Sequence, residues 1–278
     1  MAKARGIISL IGTISDITFY RMNGKYFARQ KKTFNRKAFW DNDSYEGSRR
    51  SCAEFGTSSS FSAALRRVLY PMICTIRTGY FPSRLTALLR KVMKGDLKND
   101  LGERKVLEGN LGLLKGLEVS THDKVSLHLR GKVTAEIDTS RETVIFDFSQ
   151  VKGLSKKHLP PSATHCRIIP GVVLLGENSK RMGQIFNPEF FQENFKEIRN
   201  LGREENRIIQ FSQKYSKMLC CPVVGIYFYQ LVNGDYYELK TGAALQILDA
   251  VRLQRPDLPE DKGRNWRDWI RGLAFGVL

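Results

Sequence analysis

The sequence of 278 residues is short of the features that define several common protein classes. Its five cysteines are odd in number and irregularly spaced, which does not suggest a disulfide framework. Its richest apolar stretch, residues 220–231, falls short of the ~18–20 residues that a membrane span requires. The apolar run at residues 6–11 contains Ser9 and stops at Gly12, so it predicts a strand rather than a signal peptide. We therefore expect a cytoplasmic protein with reduced thiols and no membrane span.

Sequence motifs for catalysis are also missing. There is no phosphate-binding loop of the Walker type, no Gly-x-Gly-x-x-Gly after a strand and no Cys-x-x-Cys. The four histidines lack the spacing of zinc ligands. His165 and Cys166 are neighbours, so on a strand they point to opposite faces and do not form a catalytic pair. We expect a non-enzymatic protein with no catalytic residue, no metal site and no cofactor, although a site assembled from distant residues stays open.

The sequence has few acidic residues relative to basic ones. It contains 28 Asp and Glu against 45 Lys and Arg, which gives a formal net charge of +17. The first 94 residues hold 18 of the basic residues and five of the acidic ones, so +13 of that charge lies in the first third. A folded chain with this asymmetry usually meets an acidic partner. Nucleic acid, another polyanion and an acidic protein are the partners we expect.

Within the basic third, Asn23-Gly24 lies between two β-prone runs and predicts a hairpin of residues 17–22 and 25–30, because a type I′ turn needs φ > 0 at both positions. Cations and aromatic side chains are interleaved along and after it, a composition that can hold phosphates and stack bases. The other interpretation is a solvated arm whose aromatics dock on the protein's own body. The candidate polyanion-binding residues, which include two helical arginines, are Arg21, Lys25, Arg29, Lys31, Lys32, Arg36, Lys37, Arg66 and Arg67.

Two amphipathic helices are predicted next. Apolar residues recur at i, i+3, i+4, i+7 and i+8 from Phe61 and again, in the same manner, from Leu85. Pro71 should end or kink the first helix, Pro82 suits the start of the second, and Gly95 is placed to end it. Their cationic outer faces either bind DNA or keep the helices soluble.

From about residue 117 the pattern changes to short β-prone runs with turn signals between them. The runs include 125–129, 133–137, 144–148, 164–175, 208–211, 223–231 and 236–239, with 243–251 as strand or short helix. Segment 176–206 is polar and predicts a long loop with a short helix near 188–199. The predicted fold class is α+β: a basic N-terminal β-hairpin and two amphipathic helices, then a C-terminal antiparallel β-sandwich, of which an immunoglobulin-like topology is one version.

The tail after Pro256 forms a separate segment. Its Trp266, Trp269 and Ile270 are spaced as on one face of a short helix that docks on the protein itself or on a neighbour. Together with three aromatic residues of the basic arm, these tail residues make up the candidate interface set. The set is Phe34, Phe39, Trp40, Trp266, Trp269 and Ile270. The predicted divisions are residues 1–44 (strand, hairpin and arm), 45–116 (helices), 117–254 (β-rich domain) and 255–278 (docking tail).

Several stretches of the sequence resemble a family of uncharacterised Bacteroidota proteins. They are the opening Gly-Ile-Ile-Ser-Leu-Ile-Gly-Thr-Ile-Ser-Asp-Ile-Thr-Phe-Tyr at residues 6–20, followed by Gly24 and Arg29, and the stretches 52–56, 83–86, 161–165 and 224–230. The resemblance covers roughly residues 5–252 and leaves out the tail. It implies a bacterial source, and because the family has no established activity it implies no functional residues.

These observations lead to two hypotheses. In the first, the chain is a structural or assembly protein that self-associates or joins a larger particle, and its basic first third binds nucleic acid or another polyanion. In the second, it is a subunit of a phage-like or secretion-related assembly whose arm and tail contact neighbouring protein subunits.

Overall fold

The computed structural model describes most of the chain: residues 2–3, 10–31, 35–176, 184–186, 195–198 and 206–260. The contacts within it define two compact units, Met1–Arg49 and Arg50–Leu278. The predicted strand at residues 6–11 falls mainly outside the described residues, as does the whole of the predicted tail helix with Trp266, Trp269 and Ile270.

The first unit is built on an antiparallel sheet of four strands in the order β1-β4-β3-β2. The strands are β1 (Ala2–Lys3), β2 (Gly12–Ile14), β3 (Ile17–Met22) and β4 (Lys25–Gln30). The short helix α1 (Arg36–Asp41) follows, and Asn35 begins it by accepting a 3.0 Å hydrogen bond from the backbone N–H of Ala38. Asp43–Tyr45 add one turn of 3-10 helix.

The predicted hairpin is confirmed, with strands at residues 17–22 and 25–30. Asn23 and Gly24 have φ of 51° and 77°, so both turn residues adopt the left-handed conformation that a type I′ turn requires. This turn fixes the register, in which Met22 lies opposite Lys25 and Tyr20 opposite Phe27.

Two long helices open the second part of the chain, α2 (Glu46–Ile73) and α3 (Phe81–Met93). Both predicted helices are confirmed, and their apolar stripes are buried at Phe61, Leu65, Leu69, Leu85 and Leu89, among others. Pro71 lies inside α2, and the helix ends two residues beyond it. Pro82 lies in the first turn of α3, where the missing N–H removes no helical hydrogen bond.

The strand predicted at residues 125–129 is wrong, because Val125–His128 form the short helix α4. The cause is a side chain that lies seven residues before the helix. The carboxylate of Glu118 accepts hydrogen bonds from the backbone N–H groups of Val125 at 3.1 Å and Ser126 at 3.3 Å. These bonds satisfy the N–H groups at the start of the helix and override the β-propensity of the sequence.

The strands of the second unit form two separate antiparallel sheets. In the larger one, β7 (His165–Gly176) and β11 (Lys217–Val232) pair over twelve positions. The other edge of β11 carries β12 (Asp235–Glu238), β13 (Ala244–Ile247) and β14 (Val251–Gln254). The other edge of β7 carries β8 (Gln184–Phe186) and β9 (Lys196–Glu197). The smaller sheet has the order β10-β6-β5, from β5 (Thr134–Asp138), β6 (Thr143–Asp147) and β10 (Arg207–Gln210).

The prediction for segment 176–206 is therefore wrong where the structure describes it. Residues 184–186 and 196–197 are strands paired with β7, and Lys196–Glu197 fall inside the stretch predicted as a short helix. The remainder of that stretch lies outside the described residues, apart from 195 and 198.

The large sheet is buried on both faces, because successive side chains of a strand point in opposite directions. Cys221 and Val223 belong to a core shared with α2 and α3, whereas Cys220 and Val224 belong to a second core shared with the small sheet and α4. The α+β class is thus as predicted. The immunoglobulin-like sandwich is not confirmed, since helices cover one face of the large sheet and the segments predicted as 45–116 and 117–254 share a core.

Candidate polyanion-binding face

One face of the N-terminal hairpin brings aromatic and basic side chains together. Residues directly opposite each other in an antiparallel pair share a face, so the register places Tyr20 with Phe27, Thr18 with Arg29, and Met22 with Lys25 on the same side. We call Thr18, Tyr20, Lys25, Phe27 and Arg29 the aromatic–basic face. The predicted residues Lys25 and Arg29 both lie on it.

The geometry of this face suits a flat, negatively charged ligand. The rings of Tyr20 and Phe27 are stacked, with centroids 5.7 Å apart and an angle of 22° between their planes. The guanidinium carbon of Arg29 lies 5.6 Å from the centroid of the Tyr20 ring. Both rings are half-buried, while Lys25 and Arg29 are exposed. Such a combination offers π surfaces for stacking and cations for phosphate oxygens.

Other predicted residues of the first unit lie elsewhere. Arg21 is on the opposite face of the hairpin, where its guanidinium carbon lies 5.7 Å from the Tyr26 ring centroid. Lys31 follows the end of β4 and is exposed. Arg36 and Lys37 are exposed on α1. Lys32 and the candidate interface residue Phe34 lie outside the described residues.

The remaining described interface residues, Phe39 and Trp40, lie on α1. Their rings meet edge to face with centroids 5.4 Å apart, and Phe39 also contacts Tyr45 at 5.6 Å. Arg49 donates hydrogen bonds to the backbone carbonyls of Phe39 at 2.7 Å and Asn42 at 2.9 Å, which ties this segment together. Trp40 is 60% exposed, a large apolar side chain presented to the outside of this unit.

The predicted pair Arg66 and Arg67 belongs to α2 and to the second unit, so it is not part of the hairpin. Arg67 is exposed, whereas Arg66 is half-buried and lines a groove of about 550 Å³. Arg90 and Lys91 of α3 and Lys94, which follows that helix, line the same groove. The sequence pattern does not bring these residues together. Their only sequence signal is that basic side chains flank the apolar stripe of each helix.

One charged side chain in the interior of the second unit, Glu108, is held by three cations. The carboxylate of Glu108, whose side chain is 6% exposed, binds Lys98 at 3.1 Å, Lys217 at 3.0 Å and Arg252 at 2.5 Å. Burial raises the pKa of this carboxyl, but the three cations outweigh burial and lower it to about 2. Glu108 thereby links the loop after α3 to β11 and β14.

Two buried thiols of the large sheet, Cys220 and Cys221, are not activated as nucleophiles. Cys166, Cys220 and Cys221 are buried, and Cys52 and Cys74 are exposed without a disulfide. Burial raises the pKa of Cys220 to about 12 and that of Cys221 well above its ordinary value, so both stay protonated. Among the described residues, no group of three or more His, Cys, Asp or Glu side chains is placed to hold a metal ion.

No helix in the described part of the chain is both long enough and apolar enough to cross a membrane. No family model, curated protein or solved structure matches this chain. The resemblance to Bacteroidota proteins therefore stays a prediction.

Proposed function

We propose that this protein is a non-enzymatic structural or assembly component that binds nucleic acid through the aromatic–basic face of its N-terminal hairpin. The observation that carries the proposal is the stacked pair of Tyr20 and Phe27 with the Arg29 guanidinium over the Tyr20 ring. Single-stranded nucleic acid uses the same two contacts, bases on aromatic rings and phosphates on cations.

The aromatic rings favour nucleic acid over other polyanions. A polyanion without bases would use only Lys25 and Arg29, and the two rings would add nothing to its affinity. Nucleic acid also suits the charge of the first 94 residues, which is +13. In this proposal the second unit, with its two buried cores, supplies the stable body of the particle component.

The proposal is tested by fluorescence anisotropy with a short labelled single-stranded DNA, titrated at several salt concentrations. We expect salt-dependent binding by the full chain. Tyr20→Ala should weaken binding about fivefold or more without changing the salt dependence, because stacking is worth ~1–3 kcal/mol per base. Arg29→Gln should lower the slope of log K against log salt by about 0.7, the value for one phosphate contact on a single strand.

Arg21→Gln is the matched control, since it removes the same charge from the same hairpin on its opposite face. It should change the affinity and the slope much less than Arg29→Gln. Circular dichroism of each variant establishes that the fold is intact. Absence of salt-dependent DNA binding by the wild type, or equal effects of the two arginine variants, contradicts the proposal.

A second function is favoured by one observation, the 60% exposure of Trp40 beside the cations of α1. Trp and Arg are frequent anchors of protein interfaces. In this alternative the arm contacts an acidic neighbouring subunit in a phage-like or secretion-related assembly. Light scattering at high protein concentration tests it. Wild-type oligomers that Trp40→Ala dissociates support it, and a monomer at low and high salt contradicts it.

A further inference from the structure

A groove between α2 and α3 in the second unit has the composition of an anion-binding site. Four cations line it: Arg66 of α2, Arg90 and Lys91 of α3, and Lys94, which follows the last residue of α3. Phe55 adds an aromatic ring and Ser83 a hydroxyl group. None of the described residues that line this groove is Asp or Glu. Its four positive charges are therefore not neutralised from within.

The two arginines of the groove have unused hydrogen-bond donors. The Nε atoms of Arg66 and Arg90 are buried and have no hydrogen-bond partner in the described part of the chain. Neither guanidinium forms an ion pair with any described residue, and Arg90 has only the Phe55 ring, 6.0 Å from its guanidinium carbon. A buried N–H without a partner is unfavourable, so both guanidinium groups keep hydrogen-bonding capacity that the described residues do not use.

Other half-buried arginines of the same unit do find acceptors. Arg84 of α3 donates to the backbone carbonyls of Glu118 at 3.0 Å and Val119 at 3.2 Å. Arg252 is paired with Glu108 at 2.5 Å. Arg66 and Arg90 differ from these two arginines, because they line one groove that has no carboxylate among its described lining residues, and the Nε of neither has an acceptor among the described residues.

We propose that this groove binds a small anion that carries several phosphate groups, held between the guanidinium groups of Arg66 and Arg90. Arginine suits this ligand, because its planar fork matches the geometry of phosphate oxygens. Lys91 and Lys94 add two point charges, which favours an oligophosphate over a singly charged anion. The volume of about 550 Å³ is that of a small-molecule site rather than of a macromolecular surface.

This site is independent of the proposed function. It lies on α2 and α3, uses none of the hairpin residues, and takes a ligand without bases. Failure of DNA binding at Tyr20 and Arg29 leaves the groove untouched, and failure of the groove leaves the hairpin untouched.

Isothermal titration calorimetry of the full chain with sodium tripolyphosphate at low ionic strength tests the proposal. We expect saturable binding at one site, weakened about tenfold or more by Arg66→Gln and by Arg90→Gln, since each loses a charge-assisted hydrogen bond. Arg66→Lys should also weaken binding, because it keeps the charge but loses the fork. The control is Arg67→Gln, the next position of α2 and outside the groove lining, which should change the affinity less than about twofold.

Lys94→Gln provides a second test should the half-buried arginines prove necessary for folding, because Lys94 is exposed and follows the last residue of α3. It should weaken tripolyphosphate about threefold or more while the melting temperature stays unchanged. The proposal is overturned by a wild type that does not bind tripolyphosphate, or by equal losses in Arg66→Gln and Arg67→Gln. The proposal is also overturned if Arg66→Gln weakens the binding of single-stranded DNA while tripolyphosphate does not bind at all. The groove would then take a phosphodiester chain.

Discussion

The hydroxyl of Tyr227 in β11 donates a 2.6 Å hydrogen bond to the backbone carbonyl of Met72 in the last turn of α2. The carbonyls of a last turn have no partner within their own helix, so Tyr227 satisfies one of them from the sheet. Gly225 makes this possible, because a Cβ at that position would lie 2.7 Å from the Tyr227 ring. Burial raises the pKa of Tyr227, so its hydroxyl keeps its proton for this bond.

Tyr227→Phe tests that link. It removes the hydroxyl and leaves the Met72 carbonyl buried without this donor, so we expect a loss of about 1–2 kcal/mol in the free energy of unfolding. Urea denaturation followed by circular dichroism measures it. Tyr237→Phe is the control, because Tyr237 is 56% exposed and should change the stability by less than ~0.5 kcal/mol. Equal effects of the two variants would show that the buried hydrogen bond stabilises nothing.

Glu108→Gln should destabilise the second unit by about 2 kcal/mol at neutral pH, since it removes the charge that three cations share. The pKa of Glu108 lies near 2 in the folded chain against 4.5 ordinarily. Its contribution is therefore fully present above pH 4.5 and is lost as the pH falls towards 2. Denaturation from neutral to acidic pH should show the variant and the wild type converging. The exposed Glu103, changed to Gln, should leave the curve unaltered.

His128 should make the protein less stable in mild acid. Its ring is 2% exposed and lies edge-on to Phe228, and burial lowers its pKa from 6.5 although the carboxylate of Asp123, 4.0 Å away, acts in the other direction. Well above pH 6.5 the His128 ring is neutral in both the folded and the unfolded chain. Below pH 6.5 the unfolded chain binds a proton at His128 more readily than the folded chain does. The free energy of unfolding therefore decreases as the pH decreases.

His128→Leu should flatten the dependence of the melting temperature on pH between about 7 and 5, the range in which an ordinary histidine titrates. The exposed His122, changed to Gln, should keep the wild-type dependence. A wild-type slope that survives in His128→Leu would assign the effect to another group.

Gly109→Ala should be strongly destabilising, by about 2 kcal/mol or more. A Cβ at Gly109 would lie 2.1 Å from the backbone carbonyl oxygen of Val92, near the end of α3. Gly56→Ala is its opposite, since Gly56 lies within α2 and a Cβ there meets nothing within 4 Å. Alanine at that position should stabilise by about 0.5–1 kcal/mol. Thermal denaturation of the two variants compares the signs directly.

Local signals in the sequence predict the hairpin and one of the two candidate sites. The two-residue turn at Asn23-Gly24 fixes which residues face each other, so the pairing of Tyr20 with Phe27 follows from the sequence alone. The apolar stripes of α2 and α3 are predicted for the same reason, because 3.6-residue spacing is local.

Features that depend on side-chain contacts outside the local periodic pattern could not be predicted. The helix α4 forms because Glu118 satisfies its first N–H groups, and Glu108 meets Lys217 and Arg252 only after the sheet has formed. Arg66 and Arg90 are separated by 24 positions on two helices, and periodicity does not say how those helices pack. The packing of helices on one face of the large sheet cannot be predicted for the same reason. The apolar run of β11 predicts a buried strand but does not indicate which elements pack against it.

The position of β11 late in the chain has a consequence for biosynthesis. Both cores need this strand, and its partners β12, β13 and β14 extend to residue 254. While the ribosome is still adding those residues, α2, α3 and β7 have already been synthesised, and their apolar faces are not yet packed against β11. Non-local pairing of this kind delays folding, and nascent chains in that state are prone to aggregate. A premature stop before residue 217 should thus yield insoluble fragments that depend on chaperones rather than a smaller functional protein.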